Sequence, residues 1–392
     1  MQFSTGNYSV SESVGQAMIT VTRSGPTNGT TLVHYATSDG TATQRSDYEE
    51  KAGELRFAPG ETEKQFGVLI NDDAYAEGTE TVNLTLSKVR GGSLGSLGKA
   101  TLSITDNDSA DGSANPIDDP ATFVGQHYHD FLNRQSDSGG QNFWTREITS
   151  CGNDQQCIEV KRINVSAAFY LSIEFQQTGY LVERMYKVAY GDATGTSTLN
   201  GSHQLAVPIV RLDEFLSDTQ EIGDGVVVLQ DGWQQKLEAN KQAFAAEFVA
   251  RDRFTAAFPS ALSAADFVDK LNNNAGNPLS QSERDQLVND LSSGAKTRAD
   301  VLRAVAEDPV LNQAEFNRAF VLMQYFGYLR RNPNDPQDSD YTGYDFWLTK
   351  LNQFNGNYIN AEMVKAFISS IEYRERFQGG ASRGNPQGAN PP

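Results

Sequence analysis

Acidic residues, some of them in two runs that include an asparagine, lie within the first 108 positions where predicted β-strands end. They are Glu12, Asp39, Asp47, Asn71-Asp72-Asp73, Glu77, Glu80 and Asp106-Asn107-Asp108. Strand ends of a β-sandwich meet at two poles, so several of these carboxylates are expected to converge at one pole. Converging carboxylates repel one another unless a cation lies among them, and many hard oxygen donors favour Ca²⁺. The alternative is that Asp and Asn are present here because they favour turns.

Seven short strands are predicted to position these carboxylates. Apolar and polar residues alternate in seven segments, which begin at Tyr8, Met18, Leu32, Leu55, Lys64, Thr81 and Ala100. Turn residues such as Asp39-Gly40 and Pro59-Gly60 separate the segments. Seven short strands in about a hundred residues are typical of a β-sandwich.

Several motifs of this region resemble the Calx-beta domain, the calcium-sensing repeat of sodium–calcium exchangers and of many bacterial surface proteins. They include Tyr8–Glu12, Tyr35–Ala42, Asn71–Asp73 and Ile104–Asp108, and the resemblance covers about residues 3–108. It implies an immunoglobulin-like sandwich with Ca²⁺ at one pole. The family's acidic ligand positions fall on Glu12, Asp47, Asp72, Asp73, Glu77, Asp106 and Asp108. Asn107 replaces a carboxylate that is often found in the family, which lowers the ligand charge.

A second feature of the sequence is a stretch that occurs twice, at residues 123–175 and 320–373. Both copies contain Phe-Val, a Tyr, an Arg, a Phe-Trp pair and a closing Ser-x-Glu-aromatic motif. The spacing predicts a small unit of three helices. Large aromatic residues at fixed places in short helices are expected to belong to the core.

The repeated region resembles the bacterial domain-of-unknown-function family 4214, on motifs such as Phe143-Trp144 and Glu372–Phe377. The resemblance implies an exported protein and assigns no chemistry. Predicted helices include 121–132, 141–149, 156–175, 181–190 and 232–254, with a looser segment at 191–207.

The predicted fold class is multidomain β + α, with an N-terminal immunoglobulin-like β-sandwich and a C-terminal all-α region that carries the internal repeat. The predicted organisation is a sandwich at 1–108, a linker at 109–119 that buries no face, repeat unit 1 at 120–195, a helical middle region at 196–315, repeat unit 2 at 316–378 and a Gly/Pro-rich tail at 379–392. The tail is expected to be disordered alone and to become ordered along a neighbouring subunit.

Two cysteines, Cys151 and Cys157, stand six positions apart. Too few other ligands surround them for a zinc site. A local disulfide is the first interpretation and places the protein outside the cytosol. The alternative is two unrelated buried thiols.

The formal net charge of −18 argues against nucleic acid as a partner, and no apolar run is long enough to predict membrane insertion. No signal peptide is visible, and no catalytic motif was found. His127 and His129 point to different faces of a helix and make a poor metal pair. Asp335, Asp338 and Asp340 are either a second cation site or a solvated loop.

These observations predict a non-enzymatic, extracellular or cell-surface structural protein, a subunit of a bacterial fibre or layer that assembles with copies of itself through its terminal segments. The alternative is a calcium-dependent adhesin or carbohydrate-binding module with glycans as partners. An enzyme remains only as a third hypothesis, with an unfamiliar site in the middle region.

Overall fold

The computed structural model describes residues 1–109 and 114–377. The predicted tail and part of the predicted linker therefore lie outside the described residues. The chain divides into two compact units. Among the described residues, unit 1 holds 1–169, 328–330 and 365–377, and unit 2 holds 170–327 and 331–364.

The first part of unit 1 is a β-sandwich of eight strands. The strands are β1 (Gln2–Phe3), β2 (Asn7–Ser11), β3 (Gln16–Thr22), β4 (Thr31–Asp39), β5 (Ala52–Phe57), β6 (Glu63–Leu69), β7 (Glu80–Arg90) and β8 (Lys99–Thr105). One sheet has the order β1-β3-β6, and the other has the order β2-β8-β7-β4-β5. The seven predicted strands are present, and β1 is an addition.

Alternation along the strands produces the sandwich core. In β3, Ala17, Ile19 and Val21 are buried, whereas Met18 between them is half-exposed. Burying every second side chain removes one apolar face of each sheet from water and leaves the other face solvated. β2 pairs in parallel with β8, so these two strands end at the same edge of the sandwich.

Fourteen helices are described in the remainder of the chain. They are α1 (Pro120–Leu132), α2 (Ser138–Thr149), α3 (Gln155–Tyr170), α4 (Ile173–Tyr190), α5 (Leu212–Gly223), α6 (Trp233–Phe248), α7 (Asp252–Ala257), α8 (Ala264–Asn274), α9 (Gln281–Ser293), α10 (Arg298–Ala306), α11 (Pro309–Gln324), α12 (Thr342–Gln353), α13 (Met363–Ile368) and α14 (Ile371–Arg374). A π-helical turn, Tyr325–Leu329, follows α11. Within the described residues, no helix is both long and apolar enough for a transmembrane span.

The prediction of one helix over 156–175 is wrong, because α3 ends at Tyr170 and a separate helix follows it. Ser172 has an extended backbone and its side chain accepts a hydrogen bond from the backbone N–H of Phe175, at 3.1 Å. A serine in this position caps the N-terminus of a new helix. α4 therefore starts at Ile173, and the closing motif of the first copy is a helix start.

Two further segments differ from the prediction. The looser segment 191–207 contains a β-hairpin of β9 (Ala193–Ser197) and β10 (His203–Val207), so the helical half is not purely α. The helix predicted over 232–254 is interrupted between α6 and α7. There the backbone N–H groups of Ala250 and Arg251 donate to the carbonyls three residues earlier, those of Glu247 and Phe248, as in a turn.

The end of the predicted linker is packed rather than free. Ile117 is fully buried in a short 3-10 helix. The side chain of Asn115 donates a hydrogen bond to the carbonyl of Arg374, at 3.0 Å. The expectation that residues 109–119 bury no face is therefore wrong for this part, because Asn115 and Ile117 are both buried.

Both copies of the repeat show the same local packing after their first helix. The Arg134 guanidinium lies over the ring of Tyr128, at 4.9 Å from its centroid. In the second copy, Arg331 lies over Tyr325 at 5.3 Å. Such cation–π contacts hold the chain where it leaves the helix.

In each copy, the same tyrosine also explains why a glycine is found in the next helix. A Cβ atom placed on Gly140 would lie 2.0 Å from the hydroxyl oxygen of Tyr128. The corresponding distance from Gly343 to the hydroxyl of Tyr325 is 2.6 Å. Any side chain at either position would displace the tyrosine, so the repeat requires glycine in the first turn of α2 and of α12.

The prediction that the repeated Phe-Trp pairs are core residues is wrong for their phenylalanines. Phe143 is 56% exposed and Phe346 is 43% exposed, while Trp144 and Trp347 are half-buried. The two rings of each pair meet edge to face, with centroids 4.8 Å apart in the first copy and 5.0 Å in the second. The helical period turns one ring of each adjacent pair away from the core.

The two copies of the repeat exchange their closing segments. Unit 1 contains the opening helices of the first copy together with residues 365–377, which close the second copy. Unit 2 contains the opening helices of the second copy together with α4, which begins with the closing motif of the first. Neither copy is therefore a folding unit contained in one continuous stretch of chain.

The predicted disulfide between Cys151 and Cys157 is confirmed. It closes the turn between α2 and α3. We expect that reduction lowers the free energy of unfolding by about 2 kcal/mol, because a small loop in the unfolded chain loses its constraint. Denaturant titration with and without reductant measures this difference. The variant C151S/C157S should not respond to reductant, and an equal stability of the oxidised and reduced chains would contradict the prediction.

Candidate metal centre

Three carboxylates meet at the pole where β2, β6 and β8 end. Glu12 starts the short helical turn after β2, Asp72 follows β6 and Asp108 follows β8. One carboxylate oxygen from each lies within 4.8 Å of the others. We call this set the Glu12 cluster.

Burial and like charge make the Glu12 cluster electrostatically unfavourable without a counter-ion. Burial raises the pKa of Glu12 to about 8, although a hydrogen bond from the backbone N–H of Asp73 opposes the shift. The charges of Asp72, Asp108 and Asp106 raise it further. Burial also raises the pKa of Asp72 and of Asp108. A carboxylate at 6% exposure with three acidic neighbours is an arrangement that a cation would stabilise.

A second set, the Asp47 cluster, consists of Asp47, Glu77 and Glu80, whose carboxylate oxygens also lie within 4.8 Å of one another. Glu80 is the first residue of β7 and pairs in register with Ile104 near the end of β8. The antiparallel pairing of β7 with β8 therefore brings Glu80 to the same pole. One small cavity is lined by all three residues of this cluster, by Glu12 and by Asp106.

Two of the predicted ligands have other roles at the pole. The carboxylate of Asp73 accepts a hydrogen bond from the backbone N–H of Tyr75, at 2.7 Å, which is turn chemistry. One oxygen of Asp106 accepts from the backbone N–H groups of Glu77 and Gly78, at 2.7 and 2.8 Å. Burial raises the pKa of Asp106, but these bonds and one from the N–H of Asp108 lower it on balance.

The structure thus brings five of the seven predicted residues into two clusters and leaves two beside them. Glu80 was not among the predicted ligands, although its position before a strand gave the same signal as Glu77. The second oxygen of Asp108 is shielded from solvent and accepts no hydrogen bond from the described residues. An all-carboxylate donor set with a shielded, unpartnered oxygen fits a hard cation such as Ca²⁺.

Unit 1 also contains a buried serine–histidine pair. His127 Nδ1 donates to the carbonyl of Phe123, at 2.7 Å, so its neutral Nε2 accepts from the hydroxyl of Ser166, at 2.6 Å. The Ser166 oxygen in turn bonds the hydroxyl of Tyr328. Ser166 and His127 are both 0% exposed, so no substrate reaches the serine. The pair ties α1 to α3 and does not form a nucleophile.

The acidic loop of unit 2 is held by hydrogen bonds and ion pairs. Asp335 accepts from the backbone N–H of Asn332 at 2.9 Å and pairs with Arg211 at 2.9 Å. Asp338 pairs with Arg331 at 2.8 Å. Asp340 accepts from the N–H of Thr342 at 2.9 Å. These partners account for the three carboxylates without a cation.

A model of the Calx-beta domain matches residues 1–108. Residues 1–108 form a Calx-beta domain. The match, together with the carboxylates at one pole of the sandwich, confirms the resemblance that the sequence motifs predicted. The resemblance of the helical region to family 4214 stays a prediction.

Curated relatives match this chain over a part of its length. Sodium/calcium exchanger 1 of Mus musculus is 35% identical over 143 aligned positions, which cover 32% of this chain and 14% of the exchanger. The extracellular matrix organizing protein FRAS1 of Mus musculus is 35% identical over 113 positions, which cover 28% of this chain and 3% of FRAS1. This chain thus spans a small fraction of either relative.

Two solved structures of Calx domains are also similar to this chain. The apo-form Calx CBD1 domain is 33% identical and covers 27% of this chain and 96% of its own, with a TM-score of 0.27. The calcium binding domain CBD12 of CALX1.1 is 34% identical and covers 28% of this chain and 46% of its own, with a TM-score of 0.27.

A buried charge network joins the Calx-beta domain to the helices of unit 1, and sequence reasoning missed it. Glu49 of the domain forms an ion pair with Arg330. Arg376 binds both carboxylate oxygens of Asp130 in α1, at 2.9 and 3.0 Å, and lies 3.8 Å from Glu49. All four side chains are at most 2% exposed. Their charges balance when both carboxylates are ionised.

Proposed function

We propose that this chain is a non-enzymatic, calcium-binding structural module that works outside the cell as a subunit of a surface fibre or layer. The observation that carries the calcium-binding role is the pair of carboxylate clusters at one pole of the Calx-beta domain, where Glu12 and the whole Asp47 cluster line one cavity. Glu12, Asp72 and Asp108 would hold one cation, and Asp47, Glu77 and Glu80 would hold another. A bound cation would neutralise the repulsion among these carboxylates, of which Glu12 and Asp47 are buried.

The first test is calcium binding by the full chain. We expect that Glu12→Gln and Glu80→Gln each weaken Ca²⁺ binding at least about tenfold, because each removes a charged oxygen donor from a different cluster. Isothermal titration with Ca²⁺ and with Mg²⁺ measures the effect. Glu63→Gln, at an exposed position of β6, changes the net charge equally and should bind as the unsubstituted chain does.

Thermal unfolding provides a second test of calcium binding. A ligand that binds only the folded state raises its stability by mass action, so Ca²⁺ should raise the melting temperature above that measured in a chelator. A chain that shows neither binding heat nor a stability change at millimolar Ca²⁺ would contradict the proposal.

Three features support the extracellular and assembly parts of the proposal. The disulfide is typical of proteins outside the cytosol. One relative, FRAS1, is named as an extracellular matrix organizing protein. Strand β1 lies at the edge of its sheet, where pairing with another chain is possible. Light scattering across a concentration series, with and without Ca²⁺, tests assembly, and a monomer under all conditions would exclude a fibre or layer subunit.

Exposed aromatic rings favour a calcium-dependent adhesin or carbohydrate-binding module as a second candidate. Phe143 and Phe346 occupy equivalent places in the two copies and are both exposed. Large exposed aromatic side chains are enriched at binding surfaces. A glycan array probed with the chain in Ca²⁺, with F143A/F346A as the comparison, tests this alternative, and an array without bound glycan would remove it.

A further inference from the structure

The helices of unit 1 pack on the same pole of the sandwich that carries the carboxylates. The contacts come from α1, from Gln135 shortly after it, from Arg330 and from a closing segment, which we define as residues 370–377. Three loops of the Calx-beta domain receive these contacts. Each of the three loops also carries a residue of the Glu12 or Asp47 cluster.

In the loop after β6, a residue of the Glu12 cluster lies between a residue that contacts α1 and one that contacts the closing segment. The side-chain oxygen of Asn71 accepts from His129 Nδ1 at 3.0 Å and from Gln126 at 3.3 Å. Asp72 follows in the Glu12 cluster. The hydroxyl of Tyr75 then donates to the carbonyl of Glu375 in the closing segment, at 2.7 Å.

The loop after β4 repeats this arrangement around Asp47. Two residues before it, Arg45 pairs with Glu372 of the closing segment at 2.8 Å, and the carbonyl of Arg45 accepts from Arg376 at 2.8 Å. Two residues after it, Glu49 enters the buried charge network. The cluster residue and the helix contacts are thus separated by a few backbone bonds.

The turn after β2 is the third such loop. Glu12 begins the turn, and the carbonyl of Gly15 at its end accepts a hydrogen bond from the side chain of Gln135. Glu12 also accepts from the backbone N–H of Asp73 at 3.1 Å. This bond connects the turn after β2 directly to the loop after β6.

We propose that cation occupancy of the carboxylate pole and the packing of α1 and the closing segment on the sandwich are positively coupled. The inference rests on the proposed calcium-binding function. It adds that cation binding regulates how tightly α1 and the closing segment pack on the sandwich. Without a cation, repulsion among the carboxylates separates the three loops that hold the helices. With a cation, the same loops are drawn together and hold the helices in place. Coupling of this kind is reciprocal, so packing of the helices also raises the affinity for the cation.

Hydrogen–deuterium exchange of the full chain with and without Ca²⁺ tests the coupling. We expect amide exchange in α1 and in residues 370–377 to slow about 5- to 100-fold with Ca²⁺, the range of typical coupling between two sites. Exchange in α9 of unit 2 should stay unchanged and serves as the internal reference. In Glu12→Gln the calcium effect on α1 should be lost.

A pair of tyrosine variants tests the reciprocal direction. Tyr75→Phe removes the hydroxyl bond to the closing segment and should weaken Ca²⁺ binding about two- to fivefold. Tyr8→Phe removes an equivalent bond, from its hydroxyl to the carbonyl of Thr20 at 2.8 Å, inside the sandwich, and should leave Ca²⁺ affinity unchanged. Calcium binding by titration without any change in exchange of residues 370–377 would overturn the coupling and leave the proposed function intact. A chain that binds no Ca²⁺ would overturn both.

Discussion

Asp130→Asn is expected to lower the free energy of unfolding by about 3–5 kcal/mol, because it leaves the buried guanidinium groups of Arg330 and Arg376 with Glu49 as the one carboxylate of the network. Burial raises the pKa of Asp130, but the charge and hydrogen bonds of Arg376 lower it on balance, so the folded state holds an ionised carboxylate here. Removal of one partner of a buried ion pair costs much more than removal of an exposed pair. Denaturant titration measures the loss.

A neighbouring ion pair provides a matched control. Arg374 binds both oxygens of Asp118 at 2.6 and 2.8 Å, the same geometry as Arg376 with Asp130. The Arg374 and Asp118 side chains are 32% and 53% exposed. Asp118→Asn should therefore cost at most about 1 kcal/mol. Equal losses for the two variants would show that burial does not determine the strength of this network.

Acidification is expected to destabilise unit 1 between pH 6.5 and pH 4, because His127 is buried in its neutral form. Burial lowers its pKa to about 4, an effect to which Arg162 and Arg376 add, while the carbonyl of Phe123 and the charge of Asp130 oppose it. The unfolded chain takes up a proton below pH 6.5 and the folded chain does not until pH 4, so stability is lost as pH falls. The loss for this one residue is about 2 kcal/mol between pH 7 and pH 4.5.

His127→Gln separates this effect from other titrations. Gln keeps a donor and an acceptor but does not titrate, so the difference in unfolding free energy between pH 7 and pH 4.5 should shrink by about 2 kcal/mol. His203→Gln, at a histidine whose side chain is 43% exposed, should retain the full pH dependence. An unchanged pH dependence in His127→Gln would show that the folded protein accommodates the charged ring.

The sandwich and its acidic pole could be predicted because their signals are local. Alternation of apolar and polar residues predicts strands, and acidic residues placed directly after strands must lie at a pole. The sequence alone could not decide which individual carboxylates belong to a cluster. Asp73 follows a strand and Glu80 begins one, and only the turn at Tyr75 and the register of β7 with β8 distinguish their roles.

The contacts that join the sandwich to the helices could not be predicted, because they connect residues far apart in the chain. Glu49 and Arg330 give no local pattern, and arginine is ordinarily a surface residue. In the first copy of the repeat, Asn133 ends the helix with a backbone φ of 52°, and Arg330 takes that place in the second copy with a φ of 50°. Asn is favoured in this conformation and Arg is not. The buried ion pair with Glu49 therefore explains why Arg330 occupies a position for which its backbone preference is unfavourable.

The exchange of closing segments between the two copies determines where this chain can be divided. A fragment that ends at the predicted border after residue 195 would have the opening helices of the first copy without Tyr328, whose ring packs edge to face against Phe131 of α1 with centroids 5.2 Å apart. It would also lack Tyr373, which packs against Tyr328. Expression fragments designed from the repeat borders would expose apolar surface and aggregate. For the same reason, a protease nick near residue 364 would release a peptide that belongs to the core of the N-terminal half.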